Sequence, residues 1–405
     1  MECTLAAAPA ATPAPLTVTP ADLLAAFAAV PDPRRQASVD YHLPAILALA
    51  VAAILSAHQS VLAIAEWGAR QHGDVLARLG FAAGQTPCQS TLHRLFRKLD
   101  GHALAAALGR HVAPALAPAP VARGAEGVAI DGKAQRGRLQ YQAGGCPVHA
   151  LTAFCHERGI VLAHEPIERG ADKAAAELTV APALLTQVDW RGRVLTGDAL
   201  HCQRATCRQV VAAGGDDVLL VKANQPTLHR DLALLFDPPP DEPPPLPLLD
   251  RREACTVEDG HGRVADTRHL IASTDLTGYL DWPGVAQVFR LERTWRERGR
   301  TKRQLHYGIT SLPPAAGPPT RLLALKRGHW TIENQAHRSK DVTFGEDASL
   351  VHVGQGPTVL ALLRDIALSL LHRAGHRAIT TRLRYHSQHP EAAVALLFDL
   401  TDAHA

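Results

Sequence analysis

Three acidic residues, far apart along the chain, carry the chemistry that can be read from this sequence. Gly127-Val-Ala-Ile-Asp131-Gly-Lys133 is an apolar strand pattern that delivers a carboxylate, and Arg193-Val-Leu-Thr-Gly-Asp198 repeats the device. Glu333 lies in a helix-like stretch, His329-Trp-Thr-Ile-Glu333-Asn-Gln-Ala-His337. Hard divalent cations prefer oxygen ligands, and two of them can clamp the attacking and leaving oxygens of an in-line displacement. Two strand-end aspartates and a helical glutamate therefore point to metal-assisted cleavage and transfer of DNA strands. Taken singly each signal is weak, because Asp-Gly is a common turn and a strand-end aspartate is often a helix cap. The order of the three gives them weight.

Around Glu333, residues three or four apart share one stripe of a regular helix. Here the stripe holds Lys326, His329, Glu333, His337 and Lys340, while Leu322, Leu325, Ile332 and Ala336 form an apolar stripe on another face. Basic groups beside a metal-binding carboxylate suit a substrate made of phosphates. A merely solvated polar face is the plain alternative. A zinc site built from His329, Glu333 and His337 is another, but it leaves both strand-end aspartates without a role.

The elements that must position these residues fall into a succession of types. Residues 1–19 read as an Ala/Pro-rich disordered tail, and 20–116 as a helical N-terminal domain. Within that domain Pro87-Cys-Gln-Ser90-Thr91 opens a helix with basic residues on one face, Leu92-His-Arg94-Leu-Phe-Arg97-Lys98, which fits a helix-turn-helix-like DNA-binding unit. Ala117 to Gly124 is a linker. Residues 125–237 alternate strands (128–131, 148–154, 160–167, 194–198, 218–221) with helices (174–187, 204–213), an α/β pattern compatible with a ribonuclease H-like core. In such a sheet the first and fourth strands can lie side by side, which brings Asp131 and Asp198 together. Prolines at 238–247 break the pattern. Residues 238–318 read as a β-rich insertion carrying the basic segment Arg293-Thr-Trp295-Arg-Glu-Arg298-Gly-Arg300, and 319–405 as a C-terminal helical part of the core, with helices from Arg321 to about Lys340 and Pro357 to Arg373.

Composition sets outer bounds. The 405 residues are 46% hydrophobic and 20% charged, a balance that marks a soluble globular protein. A net charge of +3 does not by itself announce nucleic acid, although arginines cluster at 290–303 and 373–384. Seven cysteines with no Cys-x-x-Cys pair read as reduced thiols of the cytoplasm. A zinc site drawn from Cys146, His149, Cys155 and His156 is disfavoured, since neighbours on a strand face opposite ways. The apolar run Leu43–Ala57 is shorter than the roughly 20 residues a bilayer requires. It reads as a buried helix.

At this point the chain resembles the bacterial insertion-sequence transposases of the DDE type, in the H-repeat-associated group. The matching phrases are Asp32-Pro-Arg34, Ala129-Ile-Asp131-Gly-Lys133, Thr196-Gly-Asp198-Ala-Leu-His201-Cys-Gln203, Val221-Lys222-Ala-Asn224-Gln225-Pro226, Ile309-Thr-Ser-Leu312, Gly328-His-Trp-Thr-Ile-Glu333-Asn334 and Asp341-Val-Thr-Phe-Gly-Glu346-Asp347. The resemblance implies a ribonuclease H-like core with a β-strand insertion before the catalytic glutamate. It implies that Asp131, Asp198 and Glu333 form the catalytic, metal-binding triad for two Mg²⁺ (or Mn²⁺) ions. DNA is the expected partner, as terminal inverted repeats and as target, with a homodimer when two ends are joined and a nucleoid-associated location. Candidate DNA contacts are Lys133, His201, Lys222, Asn224, Gln225, Lys326, His329, His337 and Lys340, of which Lys133, His201, Lys222, Asn224, Gln225 and Lys340 could instead support the carboxylates from behind, and Trp295 for stacking on an unpaired base. Departures from the group are Gln135, Ala175 or Ala176, and Ala336-His337-Arg338, none of which removes a carboxylate. A related nuclease without strand transfer, or a catalytically silent DNA-binding derivative, are the alternative readings.

Overall fold

The computed structural model describes residues 20–35, 39–81, 84–113, 119–135, 149–167, 173–239, 248–260 and 263–398. The expected tail, Cys146 and most of the proline-rich break lie outside them. The described strands are β1 (Glu126–Ala134), β2 (His149–Cys155), β3 (Ile160–Ile167), β4 (Arg193–Gly197), β5 (Asp216–Val221), β6 (Arg252–Gly260), β7 (Arg263–Ser273), β8 (Gln287–Glu297) and β9 (Arg300–Thr310). The chain divides into two compact units. The first includes residues 119–129 and 189–330, the second 14–118, 130–188 and 331–405. Both are mixed α/β.

In the first unit the strand order is β1-β4-β5-β9-β8-β7-β6. β1 and β4 are parallel, as are β4 and β5, and the remaining neighbours run antiparallel. The central strands are continuous apolar runs such as Val194-Leu195, the sequence signature of a sheet buried on both faces. Helix Pro319–Gly328 closes one face, where Leu322, Leu323 and Leu325 meet Leu270, Ala272, Phe289 and Leu291 in a shared core. Fully burying each such side chain contributes about 1.5–3 kcal/mol.

β8 continues to Glu297, six residues beyond the expected Leu291. Its outer half is polar and carries no hydrophobic alternation, so charge pairs replace it: Arg293 with Asp266 at 2.6 Å and Lys302 with Glu297 at 2.5 Å. Arg298 and Gly299 turn the hairpin with φ of 50° and 76°, the two positive values that a type I′ connection needs.

The second unit pairs β2 with β3 antiparallel, with the distal half of β1 beside β2. Helix Leu43–Leu55 is buried at every position except Pro44, and it packs against helix Gly356–Arg373, buried at all but its last residue. Among the described residues no helix is long and apolar enough to cross a membrane. Helix Val61–Ala69 is capped by Ser60, whose hydroxyl accepts the Ala63 N–H at 3.0 Å. Helix Gln89–Lys98 buries Leu92, Leu95 and Phe96 and leaves Arg94, Arg97 and Lys98 exposed.

The continuous helix expected from Arg321 to Lys340 is not what forms. An α-helix ends at Gly328, and the chain resumes as two π-helical stretches, Ile332–His337 and Ser339–Thr343. Lys326 and Lys340 are buried while Glu333 is exposed, so the five residues of the expected stripe do not share one open face.

Candidate active site

In the first unit Asp198 ends β4, a strand with every residue buried, and is itself exposed. Its Oδ1 accepts the Leu200 N–H at 2.9 Å and so caps the short turn Ala199–His201. A second loop braces this turn. The Asn224 amide donates to the Ala199 carbonyl at 2.6 Å, and the Gln225 amide donates to the Cys202 carbonyl at 2.9 Å and to Gln203 Oε1 at 3.2 Å. Asn224 and Gln225, expected as DNA contacts, spend their donors on holding the Asp198 loop. His201 is buried at 1% exposure, whereas Lys222 of the same loop is exposed.

Lys326 is buried in this unit, and burial pulls its ammonium down to about 8, with the Asp198 charge opposing and Lys222 adding to the fall. Burial also lowers His306, which faces both Lys222 and Lys326. His329 Nδ1 lies 3.3 Å from the buried Thr196 hydroxyl. Trp295 lies beneath the Arg293 guanidinium, 4.8 Å from its ring centre, a cation–π stack within the sheet.

The β1–β4 register runs Glu126↔Arg193, Gly127↔Val194, Val128↔Leu195 and Ala129↔Thr196. Asp131 follows Ala129 by two residues, and Asp198 follows Thr196 by two. In a strand a step of two keeps a side chain on the same face.

In the second unit Asp131 is partly exposed, with Oδ2 3.4 Å from His337 Nδ1. Two residues along, Lys133 Nζ meets Asp341 at 2.6 Å and Glu346 at 3.1 Å. Both side chains of β1 thus meet the stretch that carries Glu333, which is exposed on its π-helical turn. Between them Gly132 leaves room for a neighbouring side-chain pair. A Cβ there would fall 2.1 Å from Glu177 Oε1 and 2.8 Å from His149 Nε2, which are themselves paired at 3.1 Å.

Behind this face lies a buried ionic network. Arg364 approaches Glu346 at 3.5 Å, Lys340 meets Asp365 at 2.8 Å, and His164 Nδ1 lies 2.8 Å from the same carboxylate. Three cations (Lys133, Lys340, Arg364) balance three anions (Asp341, Glu346, Asp365). Burial pushes the Asp365 carboxyl up, but Lys340 and then His164 hold it well below the usual range; burial likewise opposes Lys340, Arg364 and Lys133 at Glu346, which is also lowered. Lys133 and Lys340, expected as phosphate contacts, are enclosed here at 8% and 1% exposure.

Sequence reasoning passed over Arg364, Asp365 and His164. A charged pair in the middle of the apolar helix Gly356–Arg373 was the available signal. Among the described residues no three histidine, cysteine, aspartate or glutamate side chains cluster as a metal-holding group. Asp131, Asp198 and Glu333 nonetheless supply the right donor chemistry, carboxylate oxygens at least partly open to solvent, for a hard cation.

The family model described as "DDE_Tnp_1-associated" matches residues 24–112, and the "Transposase DDE domain" model matches residues 123–370. A Xanthobacter autotrophicus protein named "Uncharacterized protein in dhlA 3'region" is 33% identical over 70% of this chain and 92% of its own length. "Putative transposase YncI" of Escherichia coli O157:H7 is 26% identical over 86% of this chain and 87% of its own. "H repeat-associated putative transposase YhhI" of E. coli K12 is 24% identical over 84% and 88%. With more than half of its length matched by the domain model, the chain belongs to the DDE transposase family.

Proposed function

We propose that the protein cleaves phosphodiester bonds at the ends of an insertion sequence and joins the freed 3′-hydroxyl to target DNA, with Asp131, Asp198 and Glu333 as its catalytic carboxylates. The observation that carries this reading is the β1–β4 register, in which two parallel strands lead to aspartates equally spaced beyond the last pair. The order β3-β2-β1 in one unit and β1-β4-β5 in the other supports a ribonuclease H-like core. Asp131, Asp198 and Glu333 would together hold two Mg²⁺ or Mn²⁺ ions, which when bound activate water and neutralise charge on the attacking and leaving oxygens.

The chain's own residues do the rest. Asn224 and Gln225 fix the turn that presents Asp198, His337 orients Asp131, and Lys222 offers an exposed charge to a phosphate. Lys326 keeps a positive charge near Asp198 when the carboxylate is ionised. The basic face of helix Gln89–Lys98 adds sequence-independent affinity for the DNA backbone. Joining two ends calls for two protomers, in the cytoplasm at the nucleoid.

Supercoiled plasmid with the cognate ends tests the proposal. Asp131→Asn, Asp198→Asn and Glu333→Gln should each lower nicking on the order of a hundredfold or more, as loss of a charge-stabilising group does. Addition of EDTA should abolish it. A variant that nicks at the parental rate removes that residue from the triad.

A further inference from the structure

A groove in the first unit lies beside the Asp198 turn, and of its lining only Gln225 has a part in the cleavage proposed above. It measures about 420 Å³ and is walled by Arg204, Gln225, Asp231, Tyr279, Asp281 and Trp282. Phe, Trp and Tyr make up only 4% of the chain, yet two of them meet here. Tyr279 is 69% exposed. The Trp282 indole N–H is turned inward to Cys207 Sγ at 3.3 Å, so the ring edge is anchored. The Arg204 guanidinium lies 5.4 Å from the Trp282 ring centre and is tethered to Asp281 at 2.7 Å by a pair open to water.

We infer that this groove binds an unstacked nucleobase of single-stranded DNA, with Tyr279 and the Arg204–Trp282 stack as its planar surfaces. This rests on the DNA reading above and deepens it. Aromatic rings and guanidinium planes are the surfaces on which unpaired bases stack, whatever their identity. The two carboxylates of the lining, Asp231 and Asp281, repel a phosphate but not a neutral base. Gln225 commits its amide hydrogens to Cys202 and Gln203, which leaves its carbonyl as the acceptor for an exocyclic amino group. Position supports the same occupant. Arg204 begins the helix that follows the Asp198 turn, and Gln225 belongs to the loop bracing that turn, so a base held here belongs to the strand engaged by Asp198.

The test uses the full chain in EDTA, so that binding is read without cleavage. Two probes are compared by fluorescence anisotropy: a blunt duplex, and the same duplex with a short single-stranded tail bearing 2-aminopurine. The parent should prefer the tailed probe and change its 2-aminopurine emission. Tyr279→Ala and Arg204→Ala should weaken the tailed probe about tenfold and leave the blunt duplex within about twofold. Trp282→Phe, which keeps a ring, should retain most of the preference. Equal parental affinity for the two probes overturns the assignment, as do variants that keep the preference or lose both probes alike. Should Tyr279→Ala instead split a dimer in light scattering with tail binding unchanged, the groove belongs to a second copy and the inference falls. If nicking survives loss of the triad carboxylates while the tail preference stands, the cleavage proposal fails and the groove does not.

Discussion

The two aspartates are held by opposite means. In the second unit Asp131 stands in front of six charges, Lys133, Lys340 and Arg364 against Asp341, Glu346 and Asp365, all but Asp341 buried. In the first, the turn after Asp198 is braced by neutral hydrogen bonds that Asn224 and Gln225 donate to the Ala199 and Cys202 carbonyls, with one buried lysine nearby. Buried ions cost several kcal/mol each to desolvate and recover that only while every partner is present. Amide bonds contribute less and fail one at a time. The first arrangement is cooperative and brittle, the second local and graded.

The difference can be broken or sharpened by measurement. Lys133→Met leaves Glu346 and Asp341 without their shared cation, and urea unfolding should lose about 3–5 kcal/mol. A loss below about 1 kcal/mol would show that the six charges do not act as one.

A pH profile of stability separates the units by sign. Asp365 and Glu346 titrate below their unfolded values, so their contribution is complete above about pH 4–5 and drains away as acid protonates them. In the first unit Asp217 behaves oppositely. Burial, then the charge of Asp216, pushes it up to about 7, and its Oδ2 is enclosed without a hydrogen-bond partner among the described residues. The folded state holds that proton more tightly, so stability falls as pH rises from about 4 to 7 and stays lowered beyond. Asp217→Asn should therefore stabilise above pH 7, by up to about 4 kcal/mol, and change little below pH 4. A gain in acid instead would reverse the argument.

The smallest effect belongs to Asn224→Ala, about 0.5–1.5 kcal/mol in unfolding. Nicking should fall about 10- to 100-fold nonetheless, because the residue braces the turn of a carboxylate proposed to bind metal. Unchanged nicking would mean that the Asp198 turn needs no brace.

Much of this was legible in the chain, for reasons that can be named. Apolar runs of Val, Ile and Leu define β1, β4 and β5, and the order of the elements anticipated that β1 lies beside β4; that the two run parallel is the structure's addition. The outer halves of β8 and β9 were hidden, because Arg293, Glu297 and Lys302 pair across strands without any apolar alternation. The stripe on Glu333 was read as one open face, but neighbouring elements enclose Lys326 and Lys340 at its two ends. The role of Lys133 was beyond reach, since its partners Asp341 and Glu346 lie 208 and 213 residues away. Asn224 and Gln225 stood out in the chain as phosphate contacts or as supports behind the carboxylates, and the amide hydrogens they donate to the Ala199 and Cys202 carbonyls suit the second of these.

Gly132 has one more consequence. The space a methyl group would need is occupied by the Glu177 carboxylate and the His149 ring. A larger residue in the middle of the Asp131–Lys133 triplet has to displace both groups and break their 3.1 Å pair. Shortening residue 177 while Gly132 stays meets no such obstacle, so the constraint runs one way.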